Sequence, residues 1–450
     1  MDTHFHQEAK KSYQKDIIEI LKAISEVSFS PKPQIETEHY ISAVITEKDI
    51  IKPIEYIKLT DTKGQIVSFE FAKNEKTYSL PEVSFKKLQS IADKIKKTKT
   101  IIDLISYDYI IDSIIEWIIE NFQNIEYVDY FELLENKISS IVKEYEFWIP
   151  IPFTSISSEF KLGKIFYKTI SVNIINSWFN PIIKKNTDEQ KKNAIKESKL
   201  IFQKEFQGYC AGTIIIKAEK QKAVELAYTY LSESLSILRL ITPPNFNFYL
   251  LSPLYEYGWN MYESNKYLIY ELSKKNFTQA SGIRDNNLRC HIDSLQIKKI
   301  STKPFSYFND LILEIAPSDF QKSLKNAIMI YSKHTLRREP FDKVLYILVA
   351  LESILLKNNT EPIQQSLADR IAFALSKDIG TRKHIVSLVK EIYTLRSGFV
   401  HHGKLDISDE NTLFEFMNIS FNMFLSLVEN SKNYKRKEDC IGAIENIKYS

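Results

Sequence analysis

The chain has 450 residues, 44% hydrophobic and 26% charged, with 10 glycines and 14 prolines. This is an ordinary globular composition, so collagen-like, linker-dominated and intrinsically disordered classes are excluded. Its 60 basic and 57 acidic residues leave a net charge of +3, too balanced for a protein that coats nucleic acid through its overall field.

The length calls for two or three domains, because a single core stops growing well short of it. The opening residues, MDTHFHQEAKKSYQKD, are polar and lack the apolar run of a signal peptide. Ser12 to Val27 then reads as an amphipathic helix on Ile17, Ile18, Ile20, Leu21 and Ile24. Beyond Pro31 and Pro33, His39 to Ile45 and Tyr56 to Leu59 read as extended. Thr60 to Gly64 is a turn, and Ile66 to Phe71 alternates as a strand. Helices dominate from Ser84 to about Glu144. The greasiest of them, Ile101 to Phe122, carries Asp103, Asp108, Asp112, Glu116 and Glu120, which excludes a membrane span. A cytoplasmic protein that does not engage a membrane is the expectation.

A second block opens at Trp148 to Phe153, where Pro150 and Pro152 restrict the segment to an edge strand or connector. Phe160 to Thr169 and Gly212 to Ala218 have strand character. Gln221 to Leu240 has a helical stripe that Pro243-Pro244 stops. From about Ala316 the pattern is wholly helical: Ser318–Ser332, Pro340–Leu356, Gln364–Leu375, Lys383–His402 and Asn411–Glu429. Five helices on short loops make a bundle. The fold class is therefore α+β and predominantly helical, a mixed α/β N-terminal region followed by an all-α bundle. The expected domains are 1–145, 146–315 and 316–450.

Cys210, Cys290 and Cys440 are far apart and odd in number, which fits a reducing compartment and offers no zinc spacing. No phosphate loop, zinc-binding helix or nucleophile elbow occurs, so neither metal nor cofactor is expected.

The segment Tyr393-Thr-Leu-Arg396-Ser397-Gly398-Phe399-Val400-His401-His402-Gly403 carries the chemistry. The inward stripe Ile385, Leu388, Val389, Ile392 and Leu395 seats Arg396 at its edge. Ser397 and His401 are four apart and share a helical face. Arg396 and His401 are five apart, about 140° around an ideal helix, so one helix does not stack them. The two could meet across a two-fold axis, or where Gly398 and the helix end distort the turn. His401 and His402 occupy the last turn, where the helix dipole favours an imidazolium. An imidazole can move protons and a guanidinium can hold a phosphate, the pair needed to break RNA without a metal. Spacing alone is weak: Arg284 to His291 has it too, in a polar stretch without an apolar stripe. On spacing alone, a helix C-cap with a bundle-edge arginine is the better account of Arg396 and His401.

Three segments occur in order around the motif: Leu348-Val-Ala-Leu-Glu352-Ser-Ile-Leu-Leu, then Leu367-Ala-Asp369-Arg370-Ile-Ala, then Ile392 to Gly403. Together they resemble the Apea-like branch of the HEPN superfamily, whose all-helical domains carry an R-x(4–6)-H motif. The likeness covers Ser318 to Glu429. Arg396 falls on the family arginine, His401 on its histidine, Ser397 on the variable polar position, and His402-Gly403 on the trailing His-Gly. The resemblance implies a metal-independent endoribonuclease that acts as a homodimer through the C-terminal bundle, two motifs facing one cleft. It also implies a role as a toxin or abortive-infection effector, with an antitoxin or a phage-derived trigger as possible partners. A non-catalytic RNA- or protein-binding module of the same family is the alternative, and so is the toxin half of a toxin–antitoxin pair.

The expected catalytic residues are thus Arg396 and His401, with Ser397, His402 and Glu352 in support. Glu352 either holds Arg396 or pairs with Arg370 inside the bundle. Tyr393, one turn before Arg396, either stacks a base or packs in the core. Lys404, Lys435 and Arg436 are basic positions for RNA phosphates, and the run from Lys432 to Lys437 otherwise reads as a solvated tail.

Overall fold

The structure, a computed structural model, describes residues 6–27, 56–61, 63–74, 76–255, 264–271, 276–283, 290–358, 360–402 and 410–449. Of these, 264–271, 276–283, 399–402 and 449 are described by their backbone. The expected extended segment His39 to Ile45, together with Arg284, Gly403 and Lys404, lies outside the described residues. Contacts gather the chain into two units, Met1–Tyr145 with Ile215–Leu226, and Glu146–Ile214 with Ala227–Ser450.

The first unit contains helix α1 (Gln7–Lys22), strands β1 (Ser25–Val27), β2 (Tyr56–Thr60), β3 (Ile66–Lys73) and β4 (Lys76–Ser79), and helices α2 (Glu82–Lys96), α3 (Tyr107–Asn121) and α4 (Tyr130–Ile141). The sheet order is β1-β4-β3-β2, antiparallel throughout. The predicted first helix is displaced: it runs from Gln7 to Lys22, five residues earlier at each end than expected, and Ser25–Val27 pairs with β4 instead. Asp61 shapes the β2–β3 turn by accepting from the Lys63 and Gln65 amides, and Gly64 takes φ +75°, where a side chain would be strained.

The apolar run from Ile101 becomes helical only at Tyr107, once the Ser106 hydroxyl caps the Tyr109 amide at 3.1 Å. α3 buries Ile110, Ile114, Trp117 and Ile118 against Phe69, Phe85, Leu88 and Phe131. Each such side chain contributes roughly 1.5–3 kcal/mol by leaving water. Two of its carboxylates are paired at the rim of this core, Asp112 with Lys58 at 2.5 Å and Glu116 with Lys137 at 2.9 Å.

The second unit begins at Glu146, within β5 (Lys143–Ile151), and continues with β6 (Thr154–Ile156), β7 (Phe160–Leu162) and β8 (Ile165–Thr169). A helical hairpin follows, α5 (Val172–Lys185) and α6 (Glu189–Phe206), then β9 (Cys210–Ala218) and α7 (Lys220–Leu240), of which Ile215–Leu226 belongs to the first unit. The sheet order β5-β9-β8-β7 puts β5 at an edge, the position in a sheet to which proline is confined. β10 (Ser264–Glu271) and β11 (Asn276–Ile283) form an antiparallel ribbon, and β12 (Cys290–Ile292) runs parallel to β6. Two short helices, α8 (Ser294–Ile300) and α9 (Ser306–Leu313), lead into the bundle.

The bundle is all-α: α10 (Asp319–Ser332), α11 (Pro340–Leu355), α12 (Ile363–Leu375), α13 (Ile379–His402), α14 (Glu410–Glu429) and α15 (Lys437–Tyr449). Ser318 and Gln321 cap α10 reciprocally, and Pro340 opens α11 where its missing N–H costs nothing. The core is built from Ile347, Leu348, Leu351, Leu367, Ile371, Val389, Ile392, Phe416 and Phe424, all fully buried. The fold class expected from the sequence is the one observed, a mixed α/β N-terminal region followed by an all-α bundle.

Candidate functional site

The motif helix α13 starts earlier than its apolar stripe implies. Asp378 caps it, accepting from the Thr381 amide at 2.7 Å and its hydroxyl at 2.9 Å, and these bonds hold the carboxyl below its usual range. Ile385, Leu388, Val389 and Ile392 are buried on the inward face. The helix continues through Gly398 to His402. On that backbone positions 397 and 401 are four apart on one face, while 396 and 401 stand about 140° apart. Among the described residues, a Cβ at Gly398 would meet nothing within 4 Å.

Arg396 lies at the edge of the stripe, its side chain 33% exposed. Its Nη1 is 3.6 Å from Glu352 Oε1 on α11. Tyr393, one turn earlier, donates its hydroxyl to that same carboxylate oxygen at 2.6 Å. The Arg396 guanidinium also sits 5.9 Å from the centre of the Tyr393 ring. Burial, reinforced by the hydrogen bond to Glu352, pushes the Tyr393 phenol well above its ordinary pKa, so it stays a donor. The ring is only 9% exposed. Of the two roles open to Tyr393, it occupies the packed one and orients Glu352.

Glu352 likewise had two possible partners. Arg370 is taken elsewhere: its guanidinium spans both oxygens of Glu361 at 2.9 and 2.8 Å, Glu445 at 2.7 Å and the Leu355 carbonyl at 2.6 Å. Asp369 pairs with Lys448 at 2.7 Å. With Arg370 satisfied, Glu352 faces Arg396 and Tyr393. Ser397 is exposed beside them. His384 pairs with Glu415 on α14 at 2.6 Å, away from this group.

Lys435 and Arg436 belong to no tail. Their amides donate to the Asp439 carboxylate at 3.1 and 2.9 Å, which starts α15. That helix buries Cys440, Ile441 and Ile444 in the bundle, and the Lys435 carbonyl accepts from the Phe320 amide at the head of α10. Both side chains remain exposed. The stripe of Cys440, Ile441 and Ile444 was the sequence signal for this sixth helix.

Among the described residues, no group of three His, Cys, Asp or Glu side chains is placed to hold a metal ion, and no helix is long and apolar enough to cross a membrane. No protein-family model, no curated protein and no solved structure matches this chain.

Proposed function

We propose that this protein is a metal-independent endoribonuclease of the HEPN type, acting as a homodimer through residues 316–450. The observation that carries the reading is the Arg396 guanidinium, partly exposed and oriented by Glu352 and Tyr393, on a helix that ends in His401-His402. One helix separates positions 396 and 401 by about 140°, so the arginine of one copy and the histidine of the other serve one scissile phosphate. His401 takes the proton from the ribose 2′-OH or gives one to the departing 5′-oxygen, and Arg396 stabilises the charge developing on the phosphorane. The products are a 2′,3′-cyclic phosphate and a 5′-OH. Ser397 and His402 support the reacting pair, and residues 1–145 and 146–315 sense a trigger, restrain the nuclease or guide substrate. In a cell such an activity makes a toxin or a defence effector.

His401→Ala tests this directly. It should abolish cleavage of a mixed-sequence RNA with the fold intact, while EDTA leaves the wild-type rate unchanged. Equal cleavage by the variant, or strict magnesium dependence, overturns the assignment.

A second reading, a non-catalytic RNA- or protein-binding module, is favoured by the carboxylate already standing beside Arg396. RNA affinity without scission by the wild type, across several RNA classes, would select it.

A further inference from the structure

The helical hairpin α5–α6 has no part in the site above, and its features are independent of it. α6 buries no residue along its 18 positions, and α5 buries only Ile175. The hairpin is rooted in its own small core, where Ile170, Ile175 and Ala211 are covered by partly exposed aromatics. Trp148 stacks edge-on against Trp178 at 5.1 Å, and Lys168 lies 5.6 Å from the Trp148 ring centre. From Val172 to Phe206 the chain carries seven lysines against four carboxylates. That net +3 equals the net charge of the whole protein.

These charges are not consumed internally. Among the described residues, Lys192 is the arm lysine with a carboxylate in ion-pairing range, Glu189 at 3.1 Å. Lys196 and Lys199 donate to the side-chain amides of Asn193 and Asn180, which leave their charge uncancelled. Lys184, Lys185, Lys191 and Lys204 are exposed. Lys184 and Lys185 end α5 and Lys204 lies in the last turn of α6, where the helix dipole favours cations, but Lys191, in the first turn of α6, has no such reason to be basic. An arm with little core of its own, carrying uncancelled cations near partly exposed aromatic rings, is complementary to a flexible polyanion with stackable bases.

We infer that the α5–α6 hairpin is a single-stranded RNA-binding arm, its lysines contacting phosphates and the rings at its root stacking bases. The inference rests on the nuclease reading for the identity of the polyanion, and it deepens that reading by placing substrate capture away from the reacting residues.

The test uses full-length protein and a fluorescein-labelled 2′-O-methyl oligouridine, which cannot be cut, with anisotropy read across a salt series. Lys184→Gln/Lys185→Gln/Lys191→Gln should weaken binding about tenfold or more at low salt and lower the salt slope by about 2, since each phosphate contact in single strands contributes about 0.7. Far-ultraviolet circular dichroism checks that the hairpin stays helical, and a charge-retaining Lys→Arg triple should bind like wild type. An unchanged affinity and slope in the glutamine variant overturns the arm, and so does a loss of binding in the arginine triple. Wild type that binds the probe through the arm but leaves ordinary RNA uncut would sink the nuclease reading while the arm stands.

Discussion

Tyr393 donates its hydroxyl to Glu352 across 2.6 Å, onto the same carboxylate oxygen that faces the Arg396 guanidinium. One oxygen thus serves a neutral donor and a cation at once. The tyrosine keeps the carboxylate from following the arginine toward solvent. The two residues should therefore be energetically coupled. Tyr393→Phe is expected to cost about 1.5–3 kcal/mol in urea unfolding, the range for a hydrogen bond to a charged group. A double-mutant cycle with Glu352→Gln should show a coupling of about 0.5 kcal/mol or more. Strict additivity would mean that the contact does no positioning.

Gly398 offers a separate lever. Among the described residues a Cβ there meets nothing within 4 Å, and the position is helical. Gly398→Ala should therefore stabilise the protein by up to about 1 kcal/mol, read as a higher urea midpoint with an unchanged m-value. Because the proposed pairing of Arg396 with His401 occurs between copies, RNA cleavage should survive the substitution. A stabilised protein that no longer cuts would instead point to a helix distortion at Gly398 as part of the chemistry.

Arg370 is 6% exposed and joins α12 to α15 through Glu445 and to the α11–α12 loop through Glu361. Removing it leaves the Leu355 carbonyl without this donor and Glu361 without its guanidinium, while Glu445 keeps Lys357 at 2.6 Å. Arg370→Met is expected to cost about 3 kcal/mol, and Arg370→Lys should recover little because an ammonium cannot span both Glu361 oxygens. The hydrogen bonds from Arg370 hold the Glu361 carboxyl below its ordinary 4.5. This contribution is present above that value and is lost as pH falls through the folded-state pKa. The acid limb of the stability profile should be shallower in the methionine variant.

His334 and Lys343 add a pH dependence of their own. His334 is fully buried, and burial lowers it from 6.5 to about 4, with the Lys343 charge adding to the effect. Below pH 6.5 the unfolded chain binds a proton that the folded one refuses, so stability falls between about pH 6.5 and 4 at up to about 1.4 kcal/mol per unit. Lys343, lowered by burial to about 8, acts on the alkaline side. Between pH 8 and 10.5 the folded state releases its proton first, and stability rises with pH. Urea unfolding of His334→Gln and Lys343→Met against wild type isolates each limb. Parallel profiles would contradict the assignment.

Much of this architecture was legible in the residues, for reasons that differ by element. Pro150 and Pro152 announced an edge strand, Ser318 and Pro340 announced helix starts, and the stripe from Ile385 to Ile392 gave α13. The α5–α6 hairpin was silent because α6 buries nothing, so no apolar period exists to read; only the caps Ser171 and Asp188 marked it. The basic run before α15 drew attention from the short stripe behind it. At the site, the edge position of Arg396 followed from spacing, and Glu352 was one of two readings. What chose between them was Glu445, 75 residues from Arg370, a pairing that no local pattern encodes.

The central claim is that Arg396 of one copy and His401 of the other act on one phosphate. Its most direct test is a purified heterodimer, one copy Arg396→Ala and its partner His401→Ala, assembled from two variants that are each at least about 100-fold impaired alone. One of its two sites then keeps both native residues, and RNA cleavage should return to about half the wild-type rate. A heterodimer as inactive as its parents would contradict a shared site.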